Sequence, residues 1–135
     1  MKKMLLFSAI ALLSLNLKAQ TIEQSNSNIY VNVFINEHKD IRIESDLVDF
    51  DDVSKEVKKQ ISEHSFKIDK NVIYRVFADG TLKLGYIMDV ERKMFEAYNQ
   101  NAKRERYLLN SVEMEIDGPN WLKKLEGIKI DKVKG

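Results

Sequence analysis

Four aspartates, Asp46, Asp49, Asp51 and Asp52, stand within seven positions. Carboxylates at that density are what calcium asks for, since the ion takes six to eight oxygen ligands. A calcium loop also needs a glycine at its sharp turn and a closing bidentate Glu, and neither occurs at the required spacing. Asp49 is therefore read as a helix N-cap, with Asp51 and Asp52 in the first turn, where carboxylates meet the positive helix end. His38 and His64 lie 26 positions apart, make no ligand motif and are read as surface residues at a turn and a helix end. Asp79, followed by Gly80, closes an apolar run. It would stand at the carboxyl end of a strand, a position that active sites use, yet no partner acid, nucleophile or oxyanion motif accompanies it. A turn former is the simpler reading. Ser62, Ser65 and Ser111 lack the glycine-flanked elbow that exposes a nucleophile. Lys103, Arg104 and Arg106 form a basic cluster suited to an acidic partner or an anionic envelope polymer, or more simply to a solvated helix end. The sequence thus assigns no catalytic, cofactor-binding or metal residue.

The scaffold that would carry these groups is small. The chain has 135 residues, 22 basic and 21 acidic, and no cysteine, which excludes disulfides, thiolate metal sites and cysteine nucleophiles. Lys2 and Lys3, an apolar stretch over residues 4–17 and Lys18-Ala19-Gln20 have the layout of a secretory signal over residues 1–19. The apolar stretch is shorter than the roughly 20 residues a membrane span needs. Cleavage after Ala19 leaves 116 residues with 19 basic and 21 acidic groups, one domain's worth of chain with no electrostatic signal for nucleic acid. Periplasmic export is expected. Residues 20–28, rich in Ser, Asn and Gln, read as a flexible leader.

Ile29, Val31, Val33 and Ile35 alternate with Tyr30, Asn32 and Phe34, the period of a strand. A polar turn leads to a second short strand at Ile41 and Ile43, giving a hairpin. Phe50, Val53, Val57 and Ile61 form one face of a helix, with Val48 placed to pack on Val53 as a staple. Residues 72–78 alternate with apolar groups on both sides, as in a central strand. A second helix is expected over residues 84–101, with Leu84, Ile87, Met88, Glu91, Met94, Phe95 and Tyr98 at helical spacing. Of these, Met88, Met94, Phe95 and Tyr98 are read mainly as core, with a partner groove as the alternative. Val112, Met114 and Ile116 suggest a strand within residues 107–116, and the stretch before it could prolong the helix by a turn. Asp117-Gly118-Pro119 breaks the chain, and Trp121, Leu122 and Leu125 suit a short helix in a C-terminal extension, residues 117–135. Trp121 is expected toward the surface, because indole rings favour interfaces with one wet edge. The expected fold is α+β: a small mixed sheet in the order β-β-α-β-α-β, with two main helices on one face.

The stretch from Asn71 to Val90 carries three marks: Ala78-Asp79 at a strand end, Gly85-Tyr86 after a short turn, and Met88-Asp89 in the following helix. In these residues the chain resembles the periplasmic domain of the ExbD/TolR biopolymer transport family, over residues 29–116. It lacks the transmembrane helix with an acidic residue that members of that family carry. The resemblance implies a non-enzymatic periplasmic interaction module, a homodimer that binds a cell-envelope protein of the TonB-like kind. The alternative is an unrelated exported domain, a small-ligand binder or an enzyme without a visible motif, which would show a deep pocket with converging polar groups.

Overall fold

The computed structural model describes residues 28–64 and 71–133. The signal segment, all of the leader but Asn28, and Ser65 lie outside these residues. Five strands form one mixed sheet: β1 (Asn28–Ile35), β2 (Ile41–Ile43), β3 (Asp46–Val48), β4 (Asn71–Asp79) and β5 (Ala102–Leu109), in the order β3-β2-β1-β4-β5. β1 pairs in parallel with β4 from Asn28↔Asn71 to Ile35↔Ala78, and β4 in parallel with β5 from Val72↔Ala102 to Asp79↔Leu109. β2 and β3 complete an antiparallel meander beside β1. The α+β class holds.

Helix α1 (Val53–Ser62) and helix α2 (Leu84–Ala97) cover one face of the sheet. Because side chains alternate along a strand, Ile29, Val31, Val33 and Ile35 of β1 and Val72, Tyr74, Val76 and Ala78 of β4 enter one core. Val53, Val57 and Ile61 of α1 and Ile87, Val90 and Met94 of α2 close it. The Tyr74 hydroxyl reaches Met94 O at 3.0 Å and Tyr98 O at 2.7 Å, so a side chain of the central strand ties down the end of α2, where Met94 O also accepts the Tyr98 N–H at 3.3 Å. Burial, with the Tyr98 phenol beside it, pushes the Tyr74 phenol far above its usual range.

The opposite face carries Phe34 and Phe77, which alternation sends away from the helices. They are covered by Leu109, Ile116 and a short helix α3 (Trp121–Leu125), whose Trp121 and Leu125 complete a second core. Trp121 stacks on Phe34 at 5.4 Å between ring centroids, lies 5.4 Å from Phe77, and donates its indole N–H to Glu44 O at 2.6 Å. The indole is 0% exposed, so the surface placement expected for it is corrected. Glu44 turns the chain out of β2 in a left-handed conformation, φ 52°. Its carboxylate accepts the Asn32 backbone N–H at 2.9 Å, and Asn32 in turn accepts Arg75 Nε at 2.7 Å.

Four boundaries differ from expectation. β3 is an additional strand. Helix α1 is entered through a 3₁₀ turn over Phe50–Asp52, and Asp49 makes no side-chain cap. Helix α2 stops at Ala97, and the following strand is β5 rather than residues 107–116. Val112, Met114 and Ile116 sit in successive turns, closed by Met114 N–H to Asn110 O and Ile116 N–H to Ser111 O, so their alternation reflects no strand.

Candidate interaction surface

Asp79 is the carboxylate placed where strand-end chemistry would occur. It is 1% exposed. Oδ1 accepts the Thr81 backbone N–H at 2.9 Å and the Thr81 hydroxyl; Oδ2 accepts the Ser111 backbone N–H at 3.1 Å and the Ser111 hydroxyl. Burial alone would raise this carboxyl's pKa, but the bonds from Ser111 and Thr81 outweigh it and hold Asp79 below the usual carboxylate range. A carboxylate that accepts four hydrogen bonds has little basicity left for proton abstraction. Asp79 instead pins the end of β4 to the chain leaving β5, alongside the Gly80 N–H to Leu109 O bond of 2.7 Å. Ser111, one of the serines considered as a nucleophile, is its partner. Ser62 donates to Lys59 O at a helix end.

The basic cluster is not a helix end. It lies in β5, where alternation separates Lys103 from Arg104 and Arg106. The two arginines face α2 and converge on Glu91, which is buried. Arg106 Nε donates to Glu91 Oε2 at 2.8 Å, Arg106 Nη2 to Oε1, and Arg104 Nη1 to Oε1 at 3.3 Å. The Glu91 hydrogen bonds raise the Arg106 pKa above its ordinary value against the opposing effect of burial. This pairing went unread from the sequence; the one visible sign was an acid on the apolar face of α2.

The aspartates do not converge either. Asp49 and Asp52 line a shallow depression of about 280 Å³ with Leu47, Val48, Lys55 and Glu56, and Asp51 stands 4.0 Å from Lys93. Among the described residues no three His, Cys, Asp or Glu side chains come together as metal ligands. His38 contacts Glu37 at 3.2 Å on the surface. A second depression, about 220 Å³, lies at the strand ends between Asn36, Glu37, Ser111, Val112, Glu115, Ile116 and Asp117. Both fall short of the roughly 300–1,000 Å³ of small-molecule sites.

The remaining candidate is an apolar strip on the outer side of α2 and β5. Met94 is core, Phe95 packs edge-on against Tyr74, and Tyr98 is half-buried. Leu84 and Met88, by contrast, are 53% and 50% exposed, and Leu108 of β5 is 44% exposed. Helix α2 runs back antiparallel to β4, from Leu84 near the strand ends to Tyr98 at the strand beginnings. Positions 84, 88 and 91 share one helix face, and Glu91 fixes that face toward β5. Leu108 faces the same side of the sheet as Arg104 and Arg106, one pair nearer the strand end. The three apolar side chains therefore stand on the same side of the outermost strand; of the motif residues only Met88 is among them, since Ala78 and Asp79 are buried. Gly85 has open space around the position of an added Cβ, so nothing there demands a glycine. Among the described residues no helix is long and apolar enough to cross a membrane. In comparison with known proteins, the chain matches no family model and no curated sequence.

Proposed function

We propose that this protein is an exported, non-enzymatic interaction module of the kind the ExbD/TolR resemblance implies. It works in the periplasm, self-associates as a homodimer and docks a cell-envelope protein, TonB-like by the same resemblance. The observation that carries this reading is the set of Leu84, Met88 and Leu108, large apolar side chains left in solvent on one side of a terminal strand, whereas the other exposed ones, Tyr30, Leu47, Val112 and Ile128, come from separate strands and turns. Contiguous exposed apolar surface marks interaction sites more often than scattered single residues do. Firm anchoring supports it too, since Glu91 ties α2 to Arg104 and Arg106 of β5 and so presents the apolar side chains pre-organised.

Light scattering across micromolar concentrations tests it. The wild type is expected to dimerise, and Leu84→Lys combined with Met88→Lys to be monomeric with an unchanged melting temperature, because both positions face water. A wild-type monomer at every concentration, or a dimer indifferent to both lysines, would overturn the reading.

A further inference from the structure

With no cysteine to react first, methionine is the side chain of this protein that a mild peroxide oxidises. Among the described residues the methionines are Met88, Met94 and Met114, and the fold sets them apart. Met94 is 0% exposed and closed into the first core between the helices and the sheet. Met114 is half-buried and packs on the second core. Met88 is 50% exposed, one helical turn beyond Leu84, and belongs to neither core. A peroxide must reach a lone pair on the sulfur. At Met88 it does so from solvent, whereas at Met94 it needs an opening of the core, which costs far more free energy than the motion of an exposed side chain.

We infer that Met88 is a methionine-oxidation site and that the redox state of its sulfur controls self-association. The inference rests on the proposed function, since it names the regulation of the same surface. In the step, a lone pair of the thioether sulfur attacks one oxygen of hydrogen peroxide, the O–O bond breaks, an S–O bond forms, and the other oxygen leaves as water. The sulfur is oxidised and the peroxide reduced. The product is a polar, chiral sulfoxide in place of a flexible apolar side chain. In the free domain its oxygen stays hydrated and the fold is untouched, because Met88 belongs to neither core. In an interface that covers Leu84, Met88 and Leu108, the same oxygen gives up its water among aliphatic neighbours, which disfavours the contact. Oxidation therefore acts on the association and not on the domain. Reversal needs an external dithiol reductase, whose thiols become a disulfide while the sulfoxide oxygen leaves as water, since the chain has no thiol of its own.

To test this, the full chain is treated with hydrogen peroxide, quenched with free methionine, and read by peptide mass spectrometry and by light scattering. Below the dimer range Met88 should oxidise at least about tenfold faster than Met94, the mark of a sulfur that needs no opening of the core, with Met114 between them. The Met88 rate should fall as the concentration rises through the dimer range, because association covers it. Protein oxidised at Met88 alone should keep its melting temperature and dimerise at least about tenfold more weakly, the loss expected on stranding one neutral acceptor in an apolar contact. Methionine sulfoxide reductases of both epimer specificities, supplied with dithiothreitol, should restore it. Met88→Leu should associate equally well before and after peroxide. Met94 or Met114 oxidised as fast as Met88, a Met88 rate blind to concentration, or a dimer unchanged by oxidation at Met88 would overturn the inference. The untreated protein separates the two claims: a monomer there overturns the dimer and its control together, whereas an untreated dimer indifferent to Met88 oxidation overturns the control alone.

Discussion

Asp79→Asn isolates the role of the one buried carboxylate at the strand ends. The substitution keeps shape and removes charge, and it replaces one acceptor oxygen with a donor. The amide oxygen should stay toward Ser111, which is buried, leaving the NH₂ group toward Thr81, which is exposed. Two consequences follow. The bonds from the Ser111 N–H and hydroxyl become neutral ones, roughly half as strong, and the Thr81 N–H at 2.9 Å loses its acceptor. Net hydrogen bonds to charged groups contribute about 1.5–3 kcal/mol and neutral ones about 1 kcal/mol, so the substitution should cost about 2–3 kcal/mol at pH 7. The chain has a single tryptophan, buried in the second core, and its fluorescence in a urea titration reports unfolding. The pH dependence has a defined sign. Asp79 is held below its unfolded pKa of about 3.9, so its contribution is complete above that value and is lost as the pH falls through the lower folded value. The gap between wild type and Asp79→Asn should therefore be constant from pH 7 to about 5 and close in stronger acid. A gap under about 0.5 kcal/mol at pH 7, the size of an ordinary surface substitution, would refute the pinning role. A gap that widens in acid would do the same.

Two further predictions concern the anchors on either side of the sheet. Trp121→Ala should destabilise the protein by about 3–5 kcal/mol, the range for large aromatic truncations in a core, and Trp121→Phe by about 1–2 kcal/mol for the lost bond to Glu44 O and the smaller ring. Thermal melts followed by far-UV circular dichroism measure both, and a cost under about 0.5 kcal/mol for the alanine variant, the size of an ordinary surface substitution, would return the indole to the surface. Glu91→Gln should cost about 2–4 kcal/mol because it strands the Arg106 guanidinium, whereas Glu91→Met with Arg106→Leu should recover at least half of that loss. A double variant no better than the single one would mean that the pair is not coupled.

How far these features can be read from the residues depends on what each one replaces. β1, β4 and α1 are legible because an apolar side chain stands at nearly every buried position, so period alone reveals them. β5 is not, since Arg104 and Arg106 occupy its helix-facing positions and their burial is balanced by Glu91, thirteen and fifteen residues earlier. Charge pairing across elements leaves no local period. β3 hides for a different reason: three residues are too few to show alternation, and Asp46 and Leu47 at a sheet edge look like a loop. Trp121 was misplaced although the signal for it existed. Phe34 and Phe77 are large, lie on the side away from the helices and need cover; the indole and Leu125 beyond Asp117 are the apolar groups left to provide it. The Asp79 site was legible in part, as a turn residue, but the Ser111 half of it rests on strand pairing across 32 positions.

The two ends of this domain differ in how much freedom the structure leaves them. At the carboxyl ends of the parallel strands, where α/β proteins commonly place ligands, every oxygen of Asp79 is engaged and the neighbouring backbone continues the ladder into Gly80. A group that must accept a proton or a ligand needs an unfilled lone pair, and none remains there. Along β5 the balance is reversed. Leu84, Met88 and Leu108 stay in water, and the edge is closed at an isolated bridge between Tyr107 and Lys132. Terminal strands are usually blunted by charge, brevity or a covering segment. β5 is eight residues long, its arginines are turned inward to Glu91, and its cover is short, so the usual protections are present only weakly.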